Sequence, residues 1–199
     1  MSVYENPGCS VVSNVLIYGL DESIKRSKYP MAVDINSCTS EPTKNTYNLG
    51  SVPTGTGHDN FLKGITVQFD LTYTVKAWTE AERYHFFEFV SSQSTMHRIA
   101  RFDIDQQYIS YVDPRMIVIM KELVDTYNTT KDPEDYLRCL YSNPCGFKLT
   151  AGMSTNYQQL KTIYQQRKDH RLPEWREFCQ WCETLPMFMK LCFGKEVAA

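Results

Sequence analysis

The chain has 199 residues, of which 42% are hydrophobic and 22% charged. These values are ordinary for one globular domain whose core needs neither disulfides nor metal. A formal net charge of -2 leaves no basic surplus to neutralise phosphates, so we expect no nucleic-acid partner. No apolar run could span a bilayer, and residues 1–12 lack a signal-peptide pattern. We therefore expect a cytoplasmic protein without a membrane partner. From its length we expect a single domain over residues 1–199.

The cysteines give no sign of a disulfide framework, because their number is odd and their spacing irregular. Cys179 and Cys182 form a C-x-x-C pair within a helical pattern. A zinc site would need a second pair nearby, and Cys192 alone does not supply it. We therefore interpret these thiols as buried and predict no metal site.

Four segments are predicted in the first part of the chain. Residues 11–18 are rich in β-branched and aromatic side chains and indicate a strand, and residues 21–28 follow as a short helix. Residues 37–58 are dense in Ser, Thr, Asn, Pro and Gly, which is typical of a long loop. Apolar and polar side chains alternate through residues 61–75, which predicts a half-buried strand.

Capping signals predict the helices that follow. A capping-box pattern at residues 79–82 predicts a helix over residues 81–100. Asp-Pro pairs at residues 113–114 and 132–133 each place proline one position inside a helix start. The remaining predicted elements are a short strand over residues 147–151 and helices over residues 154–168 and 174–185.

Two of these predicted helices carry polar side chains on the stripe that should face the core. The two stripes, each at i, i+4, i+7 and i+11, are Phe86, Val90, Gln93, His97 and Asn156, Leu160, Ile163, Arg167. A buried polar group without a partner costs about 1–3 kcal/mol, so each needs a partner from the protein or from a ligand. A protein partner is the commoner outcome for one residue alone. Several together, with Arg98 beside His97, favour a shared pocket for a planar anionic ligand such as a nucleotide or flavin.

These residues, in this order, resemble the flavin-dependent thymidylate synthases, also called thymidylate synthase complementing proteins. That family has Gly-His before a strand, then Q-x-x-R-H-R-x-x-S-x-N-E-x-S-x-R-Y at the end of a helix, and later an Asn and an Arg on one helix before a Trp-bearing segment. The matching residues here are Gly57, His58, Gln93, His97, Arg98, Asn156, Arg167 and Trp175. The interval between His58 and His97 is longer than is usual in the family.

The resemblance implies an α/β (α+β) fold with an antiparallel or mixed central sheet packed with helices. It implies FAD as cofactor, with NADPH and methylenetetrahydrofolate as co-substrates, and one-carbon transfer to a pyrimidine deoxynucleotide of the dUMP-to-dTMP type. It also implies a homotetramer whose sites are shared between subunits. The implied FAD-binding residues are His58, His97, Arg98 and Asn156, and the implied nucleotide-binding residues are Gln93, Arg98, Gln106 and Arg167. Arg167 is the implied catalytic residue, a cation that stabilises negative charge developing on the base.

The chain also departs from this family. Met96 stands where the first Arg of R-H-R is expected, and the Ser and Arg that grip the nucleotide phosphate have no counterpart. An alternative function is therefore a catalytically inactive protein that binds a nucleotide or a protein partner on the same fold. A third interpretation is a purely structural oligomer.

Overall fold

The structure is a computed structural model that describes residues 2–4 and 8–195. An antiparallel sheet forms its centre, with the strands in the order β1-β2-β3-β5-β4. The strands are β1 (Ser2–Tyr4), β2 (Val12–Tyr18), β3 (Thr66–Thr74), β4 (Glu88–Ser92) and β5 (Lys148–Asn156). The expected fold class, an antiparallel sheet packed with helices, is thereby confirmed.

Several helices share an apolar core with this sheet. The helices are α1 (Leu20–Arg26), α2 (Lys44–Ser51), α3 (Val75–Ala81), α4 (Thr95–Arg98), α5 (Pro114–Thr130), α6 (Pro133–Ser142), α7 (Tyr157–Arg167), α8 (Pro173–Thr184) and α9 (Phe188–Phe193). Short 3₁₀ segments are Tyr29–Met31, Ile35–Ser37, Asn60–Gly64 and Ile99–Arg101. Within the described residues, none of the helices has both the length and the apolar character required to cross a membrane.

Strand β3 is the strand that alternation predicted, although it starts later than expected. Its alternate residues, Val67, Phe69, Leu71 and Tyr73, are at most 3% exposed. It pairs with β5 along its whole length. The residues before it belong to the 3₁₀ segment 60–64, so only the later part of the predicted strand 61–75 is extended.

The proline-based helix starts are confirmed. The Asp113 carboxylate accepts a hydrogen bond from the backbone N–H of Arg115, and Asp132 accepts one from Glu134. Both aspartates therefore cap the helices that their Asp-Pro pairs predicted, α5 and α6.

The predicted helix over residues 81–100 is wrong. The helix in this region, α3, begins after Thr74, whose hydroxyl accepts from Ala77 N–H, and it ends at Ala81. The Thr79 hydroxyl donates to the Lys76 carbonyl, so Thr79 lies inside the helix and caps nothing. Phe86 has a φ of 56°, which interrupts any helix, and the chain then continues as β4 beside β5.

Two further boundaries differ from the sequence prediction. The expected loop over residues 37–58 contains α2, which starts from a capping box between Thr43 and Thr46. Residues 154–156 were expected in a helix, but they complete β5, and the helix starts one residue later as α7. The predicted strand 147–151 is therefore only the first part of a longer one.

The core consists of two apolar clusters. The larger one lies between the sheet and helices α3, α7, α8 and α9, and α8 contributes the buried aromatic side chains of Trp175, Phe178 and Trp181 to it. The smaller one joins α5 and α6 to the segment around Phe147. Leu149 packs against both clusters. Burial of each large side chain contributes about 1.5–3 kcal/mol, so these aromatic residues fix the position of α8 on the sheet.

The C-x-x-C pair lies on the buried face of α8, as predicted. Cys179 and Cys182 are at most 2% exposed. Burial raises the pKa of the Cys179 thiol to about 12 and also raises the pKa of Cys182. These thiols remain protonated near neutral pH, which is typical of packing residues and not of reactive ones.

Candidate functional site

Helix α7 carries a buried ion pair near its N-terminal end. The Lys161 ammonium lies 3.0 Å from a carboxylate oxygen of Asp59, and the two side chains are 1% and 0% exposed. Lys161 Nζ also donates to the carbonyl oxygens of Gly50 and Val52 at 2.7 and 2.5 Å. Lys161 is thus fully buried, although it begins a stretch of the sequence that is rich in basic residues, a composition that usually forms a solvated face. The pair fastens the segment that ends at His58 to α7.

Arg167 lies at the opposite end of α7, where its own chain surrounds the guanidinium group. Its Nη1 donates to Glu80 Oε2 at 2.8 Å, and its Nε donates to the Tyr84 hydroxyl at 2.7 Å. The guanidinium carbon lies 5.5 Å from the centre of the Tyr84 ring and 5.0 Å from that of Trp175. Among the described residues, Nη2 has no hydrogen-bond partner, so it is the donor left for a ligand.

The charges around Arg167 form a small network. Burial opposes ionisation of the Glu80 carboxyl, but the hydrogen bond from Lys76 and the charges of Lys76, His170 and Arg167 outweigh it and lower the Glu80 pKa. Burial, together with the positive charge of Arg167, lowers the pKa of His170, which is therefore neutral at pH 7. Its Nδ1 accepts from Leu172 N–H at 3.2 Å, and its Nε2 lies 2.8 Å from Arg167 Nη1 and 3.1 Å from Glu80 Oε2.

A cleft with a volume of about 440 Å³ lies between the loop that follows α3 and the outer face of α7. We call it the α7 cleft; its lining residues are Arg83, Tyr84, His85, Phe86, Gln159, Thr162, Gln166 and Arg167. Its volume falls within the range of about 300–1,000 Å³ that is usual for small-molecule sites. Cationic side chains lie on both of its sides, which suits an anionic ligand.

The loop side of the α7 cleft is held in place by hydrogen bonds from its own chain. The Thr155 hydroxyl donates to the Phe86 carbonyl at 2.7 Å, and Phe86 N–H donates to Glu88 at 3.1 Å. The Phe86 side chain is 63% exposed although its backbone has a left-handed φ of 56°. A non-glycine residue in this conformation is strained, and such strain is concentrated at functional sites. The exposed ring offers a stacking face beside the cleft.

The residues that the sequence placed in one pocket lie in three separate places. His58 and Asn156 are at the N-terminal end of α7, and Arg167 is at its C-terminal end. With a rise of ~1.5 Å per residue, the ends of this 11-residue helix are about 16 Å apart. The third group lies at and beyond the end of β4 and consists of Gln93, His97, Arg98 and Gln106, all of them exposed.

The first expected core-facing stripe is wrong, because residues 88–92 form β4. The second holds in its middle, where Leu160 and Ile163 are fully buried. Gln93 follows a strand, and its side-chain oxygen accepts from Thr150 N–H at 2.9 Å. Asn156 caps α7 through a hydrogen bond from Gln159 N–H at 3.0 Å. Arg167 is the predicted site residue that lines the α7 cleft, together with other candidate ligand-binding groups of the described chain.

His85 is the residue that sequence reasoning missed. The resemblance places its histidine motif at the end of the helix after the clear strand, and this helix ends at Ala81. Arg83, Tyr84, His85 and Phe86 follow this helix and line the α7 cleft.

Solved structures with a similar fold are known, but comparison of the sequence with protein families and curated proteins finds no relative. No protein-family model and no curated protein matches the chain. Among solved structures, a flavin-dependent thymidylate synthase ThyX from Helicobacter pylori, complexed with FAD and dUMP, is similar with a TM-score of 0.70. The match is 12% identical and covers 90% of this chain and 97% of that one. A second structure of ThyX from the same organism, also with FAD and dUMP, gives a TM-score of 0.68 at 12% identity, covering 91% and 97%. At this identity the likeness shows the fold.

Proposed function

We propose that this chain binds FAD and a pyrimidine deoxynucleotide and transfers a one-carbon unit to the base, as in the conversion of dUMP to dTMP. The α7 cleft carries the proposal, because it joins His85 to Arg167 in a fold shared with proteins solved with FAD and dUMP. Arg83 and Arg167 offer cations to a phosphate or to an anionic base. Phe86 offers a ring face to a planar base or flavin.

The residues present fit a mononucleotide more completely than they fit FAD within one chain. FAD contains two nucleotide units, and the α7 cleft has room for about one. We therefore propose that the flavin site is completed by neighbouring subunits of a homotetramer. In that assembly His58, Asn156, His97 and Arg98 would contact FAD, and Gln93, Arg98 and Gln106 would reach the nucleotide bound beside Arg167 of another subunit.

Arg167 is the proposed catalytic residue. Glu80 and Tyr84 fix its orientation, so no reorganisation is needed when charge develops on a bound base. Glu80 also neutralises part of its charge, so Nη2 acts mainly as a directed hydrogen-bond donor. FAD, with NADPH as reductant and methylenetetrahydrofolate as carbon donor, would supply the redox and one-carbon chemistry, while these side chains bind and polarise the base.

A second candidate function is nucleotide binding without turnover. We further propose that His85 takes the position of the family's motif histidine, so that Tyr84 and Phe86 stand where R-H-R has its two arginines. Fewer cations then face a bound phosphate, and Arg167 is already paired with Glu80. Both features weaken charge stabilisation without closing the cleft.

The first experiment is an absorbance spectrum of the freshly purified protein, followed by titration with FAD and a thermal-shift series with dUMP. Bound flavin and formation of dTMP from dUMP, NADPH and methylenetetrahydrofolate would support the enzyme. Saturable binding of FAD or dUMP with no dTMP would support the second candidate. Absence of binding by either ligand would reject both.

A further inference from the structure

A second cleft, with a volume of about 530 Å³, is lined in part by the first turn of α8. We call it the Glu174 cleft, after one of its lining residues. Its walls include Ile109, Val112, Met116 and Leu172. It shares no lining residue with the α7 cleft, so a ligand here is not the nucleotide considered above.

Glu174 has an incomplete set of hydrogen bonds. Its side chain is only 7% exposed, and its Oε1 accepts from the Thr74 hydroxyl at 2.6 Å. Its Oε2 is buried and has no partner among the described residues. An unsatisfied buried acceptor costs about 1–3 kcal/mol, and more when it is charged. A carboxylate kept in this condition at the wall of a cleft is the feature that needs an explanation.

The position of the carboxylate allows a ligand to satisfy it. Glu174 lines this cleft and also a neighbouring one of about 490 Å³ that contains Tyr108 and Ser110. The terminal torsion of a glutamate side chain is broad, so the free oxygen turns towards a donor at small cost. The first turn of α8 favours a negative charge here through the helix dipole.

The other charged side chains that line the cleft already have hydrogen-bond or ion-pair partners, with the exception of Arg171. The Lys76 ammonium pairs with Glu80 at 3.0 Å, and Asp113 pairs with Arg115 at 2.7 Å. Arg176 donates to two backbone carbonyl groups. The exposed Arg171 side chain makes no hydrogen bond or ion pair with any residue that the structure describes. The lining of the cleft thus combines apolar side chains with a carboxylate oxygen and a guanidinium group that have no partner within the part of the chain that the structure describes.

We infer that the Glu174 cleft binds a small molecule with an amidine-like N–H donor on a flat apolar body and an anionic group at its other end. The donor meets Glu174 Oε2 in a charge-assisted hydrogen bond, which is about twice as strong as a neutral one. The apolar body replaces water along the walls. The anionic end meets Arg171, whose planar guanidinium group binds carboxylates in pairs of parallel bonds.

Three probes test this chemistry on the whole protein by isothermal titration calorimetry and ligand-detected NMR. Benzamidine supplies the donor and the apolar ring, benzamide is its neutral analogue, and 4-amidinobenzoate adds the anionic group. We expect saturable binding of benzamidine, about tenfold weaker binding of benzamide, and 4-amidinobenzoate as the tightest of the three. Failure of all three to bind the folded protein would overturn the inference and assign Oε2 to an internal water.

Variants separate the two ends of the site. Glu174→Gln should abolish the preference for benzamidine over benzamide. The matched control is Glu183→Gln, the same change on the same helix at a carboxylate that accepts a hydrogen bond from Tyr164, and it should keep this preference. Arg171→Ala, at an exposed position, should remove only the advantage of 4-amidinobenzoate. Unchanged probe affinities in folded Glu174→Gln would refute the site. FAD and dUMP titrations of the same variants report on the proposed function separately, since the α7 cleft is left intact.

Discussion

Replacement of Lys161 by methionine is the sharpest test of how α7 is held. The ammonium is 1% exposed and is the only cation that the described residues place on the fully buried Asp59 carboxylate. Lys161→Met would leave that carboxylate uncompensated and remove the donor from the Gly50 and Val52 carbonyl groups. Removing one partner of a buried ion pair costs about 3–5 kcal/mol. We expect a loss of unfolding free energy of that size.

Urea unfolding followed by circular dichroism gives the free energy, provided that the dependence on denaturant is unchanged. Lys168→Met is the matched control, because Lys168 is exposed and only 4.0 Å from an exposed Asp169; it should change stability by less than about 0.5 kcal/mol. The double variant with Asp59→Asn should lose less than the sum of the two single losses, since both remove one interaction. A Lys161→Met loss below about 1 kcal/mol, or additive losses, would refute the buried pair.

Three further predictions concern the candidate site. His85→Ala should weaken FAD or dUMP binding about tenfold or more, through loss of about 1.4 kcal/mol of binding free energy. Equal losses of affinity in His85→Ala and His97→Ala would contradict the placement of the histidine motif at residues 83–86. Tyr84→Phe should lower turnover, or nucleotide affinity if there is no turnover, because Arg167 loses the bond that orients it; an unchanged nucleotide affinity and rate would count against this. The lowered pKa of His170 means that this imidazole binds a proton less readily in the folded state than in the unfolded state. Its contribution to the free energy of unfolding is therefore complete above the ordinary histidine pKa of 6.5 and is lost as the pH falls below that value. His170→Gln should flatten this part of a pH series of urea midpoints, and a slope equal to that of the unmodified chain would contradict the assignment.

Local signals explain the elements that the sequence predicted well. The Asp-Pro pairs that start α5 and α6 act within one helical turn, because a capping carboxylate needs only the next backbone N–H groups. The alternation in β3 is equally local, since side chains on a strand point to opposite faces in turn. Neither signal depends on what the rest of the chain does.

The region around β4 shows where local signals fail. Phe86, Val90 and Gln93 have helical spacing, yet residues 88–92 pair with β5 through a register that no local pattern contains. The spacing agreed with a helix by coincidence, and the pairing decided the conformation. Because the helix then ends at Ala81, the histidine that lines the α7 cleft together with Arg167 is His85, and the predicted His97 lies elsewhere on the surface.

By itself the sequence determined strand β3, the Asp-Pro helices and the buried thiols, since each rests on residue type or on contacts within a few residues. The fold class was implied by the family resemblance and is confirmed. Only the tertiary structure decided which loop faces α7, that Lys161 is buried with Asp59, and that Glu174 keeps an unpaired oxygen at a cleft. These facts join residues about a hundred positions apart in the chain. Contacts over such separations follow from how strands and helices pack together, which no stretch of sequence states on its own.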